Sequence, residues 1–446
     1  MQFAVRNFAR VSAPVILAMM MLWLVACGSN ATPLASSSTT PTTIRFAVNE
    51  APEELGSFKS VIAEFEKANP NIKVKLENVP DDAEFLKKLA ADIAAKTPPD
   101  VFMVNYRLIG PYAVKGALQP LDGYMNTSQV FKPADFYPAS LNAYKLKGQQ
   151  QCLPLNFSQL GVYYNKTLFE KAGVPLPKND WTWNDFLAAA KALTQDTNGD
   201  GKTDQYGAGI STLAIRLMPF IWARGGDIVD NPERPTTLTL DKGAALEAFQ
   251  WFVNLQTQEH VVPNKEAEAT QSSQARFQDG TLGMFFQSRV ITPELRETIK
   301  DKFEWDIVPL PQDKQRATIL HSDGFCMTNA SKHKDAAWKL IEFFNSTASQ
   351  STLAQSGRTV PSLQAVANAP AFLKSNPPAN NASYVEMAPY VRPVPLMSTW
   401  GEVEGVLNKE IKRAFYGDAT AQQAAQAAVE NTREYFKQNL TDLDSP

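Results

Sequence analysis

Between residues 43 and 105 the hydrophobic period of the chain switches back and forth, and that alternation restricts the fold more than any other feature. TIRFAV (43–48) reads as a strand. In SFKSVIAEFEKANP, Phe58, Val61, Ile62 and Phe65 recur at the i, i+3, i+4, i+7 spacing of one helix face, and Asn69-Pro70 ends the helix. IKVKLENV sets Ile72, Val74 and Leu76 against Lys73, Lys75 and Glu77, the alternation of a half-buried strand. DDAEFLKKLAADIAAK predicts a second helix, with Asp81 at the cap and Glu84 three residues on, resembling a capping box. After Pro98-Pro99, DVFMV is apolar throughout, as a strand covered on both faces is. Strand, helix, strand, helix, strand implies a parallel sheet with crossover helices, and ligands gather beyond the carboxyl ends of such strands. Asn49 and Glu50 after the first strand, and Asn105 and Tyr106 after the third, are therefore expected at a pocket rim.

The start of the chain follows other rules. Arg6 and Arg10 precede an apolar run from Ala13 to Ala26, the layout of a secretory signal peptide over 1–26, and the run is short for a membrane span. Leu24-Val25-Ala26-Cys27-Gly28 resembles a bacterial lipobox, in which the cysteine thiol receives diacylglycerol and becomes the mature N-terminus. Cys27 is thus the expected lipidation site, and the alternative is a plain export signal with an incidental cysteine. Residues 27–43 are rich in Ser, Thr and Pro and have too little apolar surface to order themselves, so they are expected to form a flexible tether. The body would then be exported and held at the extracellular or periplasmic face of the cell membrane by lipid alone.

About 400 residues follow Cys27, more than a single core usually serves, so two lobes are expected. With 43 Lys and Arg against 46 Asp and Glu and no basic run, nucleic-acid binding has no electrostatic support. Only His260, His321 and His333 occur, without HExxH, CxxC, GxxxxGK[ST] or GxSxG, which argues against a histidine metal site, a nucleotide hydrolase and an α/β-hydrolase. Cys152 and Cys326 lie in a disulfide-permissive compartment, but their separation in sequence does not tell whether they meet.

Further on, TWNDFLAAAKALTQ predicts a helix capped by Thr182, and GAALEAFQWFVNLQ buries Leu246, Phe249, Phe252 and Val253, with Trp251 off to the side. FEWDIVPLP reads as a strand ended by prolines, DAAWKLIEFFN as a helix, and residues 401–440 as two helices broken at Gly417-Asp418. FEKANPNIKVK, PPDVFMVN, KGALQPLD, LGVYYNKTLFEKAGV, TWNDFLAAAKALT, GGDIVD, FQDGTLGMFF, WDIVPLP, SDGFCMTNASKHKDAAWKLIEFF and SGRTVPS together resemble, in order, the family 1 extracellular solute-binding proteins of ABC importers. The resemblance implies an α/β, two-lobed periplasmic-binding-protein-like (type II) fold with an interlobe ligand cleft and hinge, closing on its ligand for the permease to recognise. It implies a first lobe of 44–151 and 328–372 and a second of 152–327 and 373–446, with crossings near 151–154 and 324–327. Those crossings hold Cys152 and Cys326, so either a hinge disulfide or two buried thiols would result.

A sugar offers hydroxyls and apolar C–H faces, so its site needs planar polar side chains and aromatic platforms. Tyr163 and Tyr164 alternate on a strand, so one should face the cleft; Tyr163 is taken as the candidate. Trp222, before Gly225-Gly226, and Trp400, where the family often places a cleft aromatic, are candidate platforms. Gln287, Arg289, Asp323 and Arg358 are candidate hydrogen-bonding residues, whereas consecutive His321, Ser322 and Asp323 cannot converge as a triad. In DTNGDGKTD, Asp196, Asn198, Asp200 and Asp204 take positions 1, 3, 5 and 9 of an EF-type loop, but position 12 is Gly207, so any calcium would be weakly held; an Asn-Gly and Asp-Gly turn is the alternative. No other cofactor is expected. The function expected from these readings is a monomeric lipoprotein that captures an oligosaccharide or glycoside for an ABC importer, without catalysis. The alternatives are the same fold with a polyamine, glycerophosphodiester or peptide ligand, and a surface glycosidase using two carboxylates.

Overall fold

The computed structural model describes residues 41–445, so the signal segment, Cys27 and all but the end of the tether lie outside the described residues. Its principal strands are β1 (Thr42–Val48), β2 (Ile72–Asn78), β3 (Val101–Asn105), β4 (Cys152–Pro154), β5 (Ser158–Asn165), β6 (Tyr206–Gly209), β7 (Leu282–Ser288), β8 (Trp305–Val308), β9 (Thr318–His321), β10 (Asp323–Met327) and β11 (Val391–Arg392). They form two main sheets, each the centre of a lobe, ordered β2-β1-β3-β10-β4 and β11-β9-β5-β7-β6, with β8 paired to β5.

In the first lobe β1 runs parallel to both β2 and β3, with the helices Pro52–Ala68 and Asp82–Ala94 as crossovers. The first helix starts on a proline, whose missing N–H costs nothing there, and buries Phe58, Val61, Ile62 and Phe65. Asp81 caps the second by accepting from the Glu84 N–H at 2.9 Å. Phe46, Phe58, Phe325 and Phe344 meet with ring centroids 5.0 to 6.3 Å apart, joining β1, the first helix, β10 and the helix Lys334–Phe344 in one core. Edge and tilted contacts of this kind add about 0.5–1.5 kcal/mol per pair beyond the buried area.

The second lobe is built on β5, buried at every position, with β7, β8 and β9 all antiparallel to it. Its helix Trp183–Leu193 opens with the full reciprocal box of Thr182 and Asp185. Trp183 stacks on the partly exposed Trp251 of helix Gly243–Thr257 at 4.2 Å. Gly207 is required by packing: a Cβ there would stand 1.9 Å from the Ala190 carbonyl oxygen, so the strand touches the helix backbone directly. The helices Trp400–Phe415 and Ala421–Asp444 pack on one another and on Gly243–Thr257, which puts the tail in this lobe.

The chain changes lobe between Pro154 and Ser158 and again at Ser322, the single residue between β9 and β10. Because β4 and β10 both pair within the first sheet, these crossings stand a few residues from the expected 151–154 and 324–327. Strand β11 brings the chain into the second sheet a last time. Cys152 and Cys326 are direct partners across β4 and β10 and form a disulfide. Among the described residues, no helix is long and apolar enough to cross a membrane.

Candidate functional site

A cavity of about 250 Å³ lies between the lobes, beyond the carboxyl ends of β1 and β3. That is below the roughly 300–1,000 Å³ of most ligand sites, so a long ligand needs the lobes to part. Asn49, Glu50, Asn105, Asp323 and Arg358 line it, as do Ser288 and His321 at the ends of β7 and β9. The strand-end rule fixes the first of these. Asn49 follows β1 and donates to Asp82 at 2.7 Å, while the Glu50 backbone is clamped by the Asn78 amide through two 2.9 Å bonds. Burial, then its hydrogen bond and charge contact with Glu54, push the Glu50 carboxyl well above its usual range. Glu54 is itself paired to Arg358 Nε at 2.9 Å. Asp323 accepts from Asn105 Nδ2 and Asn156 Nδ2, each at 3.1 Å, and so ties β3 to both crossings. Its burial raises its pKa even against those two amides, which favour the charged form.

The other end of the cleft is basic. Arg107, just past β3, donates to Glu404 of helix Trp400–Phe415 at 2.5 Å, an ion pair from one lobe to the other. Arg216, inside helix Ala214–Ala223, is 5% exposed and donates to Gln287 Oε1, while its Nε and Nη1 have no partner among the described residues. Burial, and then the charge of Arg107, pull this guanidinium down to about 10. His321 Nε2 is likewise buried and unpartnered. Burial, Arg216 and Arg107 hold the imidazole well below 6.5, so it is neutral at pH 7.

Six of the residues expected at the site stand elsewhere. Tyr106 is buried against Tyr144, its hydroxyl accepting from Val394 N at 3.1 Å. Tyr163 does not face the cleft: β5 is covered on both sides, so Tyr163 and Tyr164 are both buried, and the Tyr163 hydroxyl bonds Thr292 and Tyr384. Trp222 is packed, donating to Asp227 at 3.2 Å with Arg392 4.8 Å over its ring. Arg289 is fully buried between the Phe372 and Tyr384 rings and donates to Asn381 and Ser375, a structural tie. Gln287 serves Arg216, and Trp400 is fully buried with its Nε1 unpartnered.

The loop over 196–204 spends its acceptors on its own backbone. Asp196 takes the N–H groups of Gly199 and Gly201 at 2.7 Å, Asn198 that of Asp200 at 2.9 Å, Asp200 that of Lys202 at 2.8 Å and Asp204 that of Thr197 at 3.0 Å. Among the described residues no cluster of three or more His, Cys, Asp or Glu is arranged to hold a metal. Sequence reasoning missed Glu54, Asn156, Arg107, Glu404 and Arg216. Only Arg216 left a signal: one charge inside the apolar run LAIRLMPFIWA.

Residues 51–351 match the family model described as bacterial extracellular solute-binding protein, and the chain belongs to that family. It is 27% identical over 395 residues to a Brucella abortus protein named only as a binding protein, covering 86% of this chain and 92% of that one. It is 25% identical to the maltotriose-binding protein of Pyrococcus abyssi, over 84% of this chain and 78% of that one. Its fold superposes on the ABC substrate-binding protein of Listeria monocytogenes in complex with cycloalternan with a TM-score of 0.79, at 26% identity over 88% of this chain and 98% of the other.

Proposed function

We propose that the protein is the capture component of an ABC importer, that it holds an oligosaccharide or glycoside between its lobes, and that it passes the solute to the permease unchanged. The observation that carries this is the makeup of the interlobe cavity. Asn49, Asn105, Asn156 and Asp323 are held by one another or by neighbours, and they alternate donors and acceptors beside the apolar Phe85, Leu86 and Leu108. Sugar hydroxyls, each donor and acceptor, and sugar C–H faces need such a surface. The relatives that bind maltotriose and cycloalternan support the same class.

A binding role without catalysis is supported by the carboxyls themselves. Glu50 and Glu54 hydrogen-bond to each other, whereas glycoside hydrolysis needs two carboxyl groups on opposite sides of the scissile bond. The reading needs no cofactor. The lipobox-like segment supports anchoring through Cys27, with a body that works as a monomer above the membrane. A thermal-shift screen against sugars, polyamines, peptides and glycerophosphodiesters, with mass spectrometry of the recovered ligand, tests the proposal. A ligand at 100 times its dissociation constant stabilises by about 2.7 kcal/mol. A sugar recovered intact is the expected result. A sugar recovered cleaved, or a shift with non-sugars alone, overturns it.

A further inference from the structure

We infer that the solute carries an anionic group, a carboxylate or sulfate on a sugar ring, and that the corner formed by Arg216, Arg107 and His321 receives it. This rests on the carbohydrate reading above and adds the charge of the ligand. Every other position of the helix Ala214–Ala223 is apolar, so Arg216 is a cation set inside a hydrophobic element. It is 5% exposed, its one partner is the neutral amide oxygen of Gln287, and two of its nitrogens have none among the described residues. The charges that bear on it are of its own sign: Arg107 depresses its proton affinity, and both arginines depress that of His321. A buried cation in this position costs folding free energy unless something neutralises it.

The protein's own carboxylates are engaged elsewhere. Glu404 is taken by Arg107, Glu54 by Arg358, Asp323 by the amides of Asn105 and Asn156, and Glu50 faces Glu54. Arg107 and His321 line the cavity, and the helix that carries Arg216 packs on β9, the strand that ends at His321. A neutral hydroxyl would satisfy a hydrogen bond and leave the charge. A carboxylate or sulfate satisfies both, through the planar fork of the guanidinium. His321 adds a second observation. The charges of Arg216 and Arg107 bear on it, Asp323 follows two residues along the chain, Glu50 lines the same cavity, and Glu404 is reached through Arg107. An anion placed among these groups offsets the two arginines, so the imidazole takes up a proton as the ligand docks.

The test is calorimetric titration of the full chain at pH 7 with matched pairs of sugars. The acidic members are glucuronate-, galacturonate- and mannuronate-terminated di- and trisaccharides and their sulfated analogues. Their partners are the same sugars with the carboxylate reduced to hydroxymethyl or without the sulfate. The acidic member of a pair should bind about 30-fold or more tightly than its twin. Arg216→Met should abolish that preference, and the thermal midpoint of the ligand-free variant should not fall, because the charge removed had only a neutral amide against it. Should Arg216→Met fail to fold, the matched pairs on the unaltered protein still decide the matter. Proton uptake on binding, measured in buffers of different ionisation enthalpy, should disappear in His321→Gln; uptake that survives removes His321 from the corner. Twins that bind equally, or neutral sugars that bind while no acidic one does, overturn the inference and leave the carbohydrate reading standing. Silence from all sugars, with a glycerophosphodiester response lost in Arg216→Met, overturns the carbohydrate reading and keeps the anion corner.

Discussion

On the wall of the cleft built by the first lobe, each buried carboxyl has a partner within the protein: Glu50 has Glu54, Glu54 has Arg358, and Asp323 has two amides. On the wall built by the second, Arg216 has one amide oxygen and His321 Nε2 has nothing among the described residues. The first wall is internally complete. The second is left short of partners, and what binds there finishes it. On the proposed reading, orientation of the solute falls to the first lobe and selectivity to the second.

The largest test of this comparison removes the covalent tie inside the first lobe's sheet, beside both crossings. Replacing Cys152 and Cys326 by Ser opens a covalent loop of 174 residues, which by chain entropy is worth up to about 5 kcal/mol. Urea unfolding should show the loss, and a change under about 1 kcal/mol would mean that sheet pairing alone fixes the crossings. Next in size, Asp323→Ala strands the Asn105 and Asn156 amide donors and should cost about 2–3 kcal/mol in the same assay, while Arg216→Met costs nothing. Equal costs would erase the distinction between the walls. Arg358→Met leaves Glu54 and Glu50 without their cation. Because Arg358 is about a third exposed, the loss at pH 7 should be discounted to about 1–2 kcal/mol.

The smallest effects are pH slopes of opposite sign. Glu50 has a folded pKa raised above its ordinary 4.5, so its contribution is present below that value and is lost as pH climbs through the folded one. His321 is depressed below 6.5, so its contribution is present above 6.5 and is lost as pH falls through the folded value. Thermal midpoints of Glu50→Gln and His321→Gln, each against the unaltered protein from pH 4 to 8, should therefore diverge in opposite directions. Parallel curves would contradict the assignment.

Where local period decides structure, the sequence could be read directly. The spacing of Phe58, Val61, Ile62 and Phe65 and the alternation from Ile72 to Glu77 specify their elements, and strand ends then place Asn49, Glu50 and Asn105 at the cavity. The aromatic candidates failed because a central strand such as β5 and a helix such as Ala214–Ala223 are covered on all sides, which depends on neighbours far along the chain. Arg107 and Glu404 are 297 residues apart, and no local pattern marks either as the other's partner. The disulfide had the same character: only the pairing of β4 with β10 puts Cys152 opposite Cys326.

That bridge also settles the thiol chemistry of the folded body. Cys152 and Cys326 consume one another, and residues 41–445 contain no other cysteine. A cysteine introduced on the rim of the cleft is then the sole nucleophilic sulfur in that body, and an alkylating dye reacts there alone. The molecule is in this sense already prepared as an optical sensor, in which a change of fluorescence reports the arrival of a solute before anyone has named it.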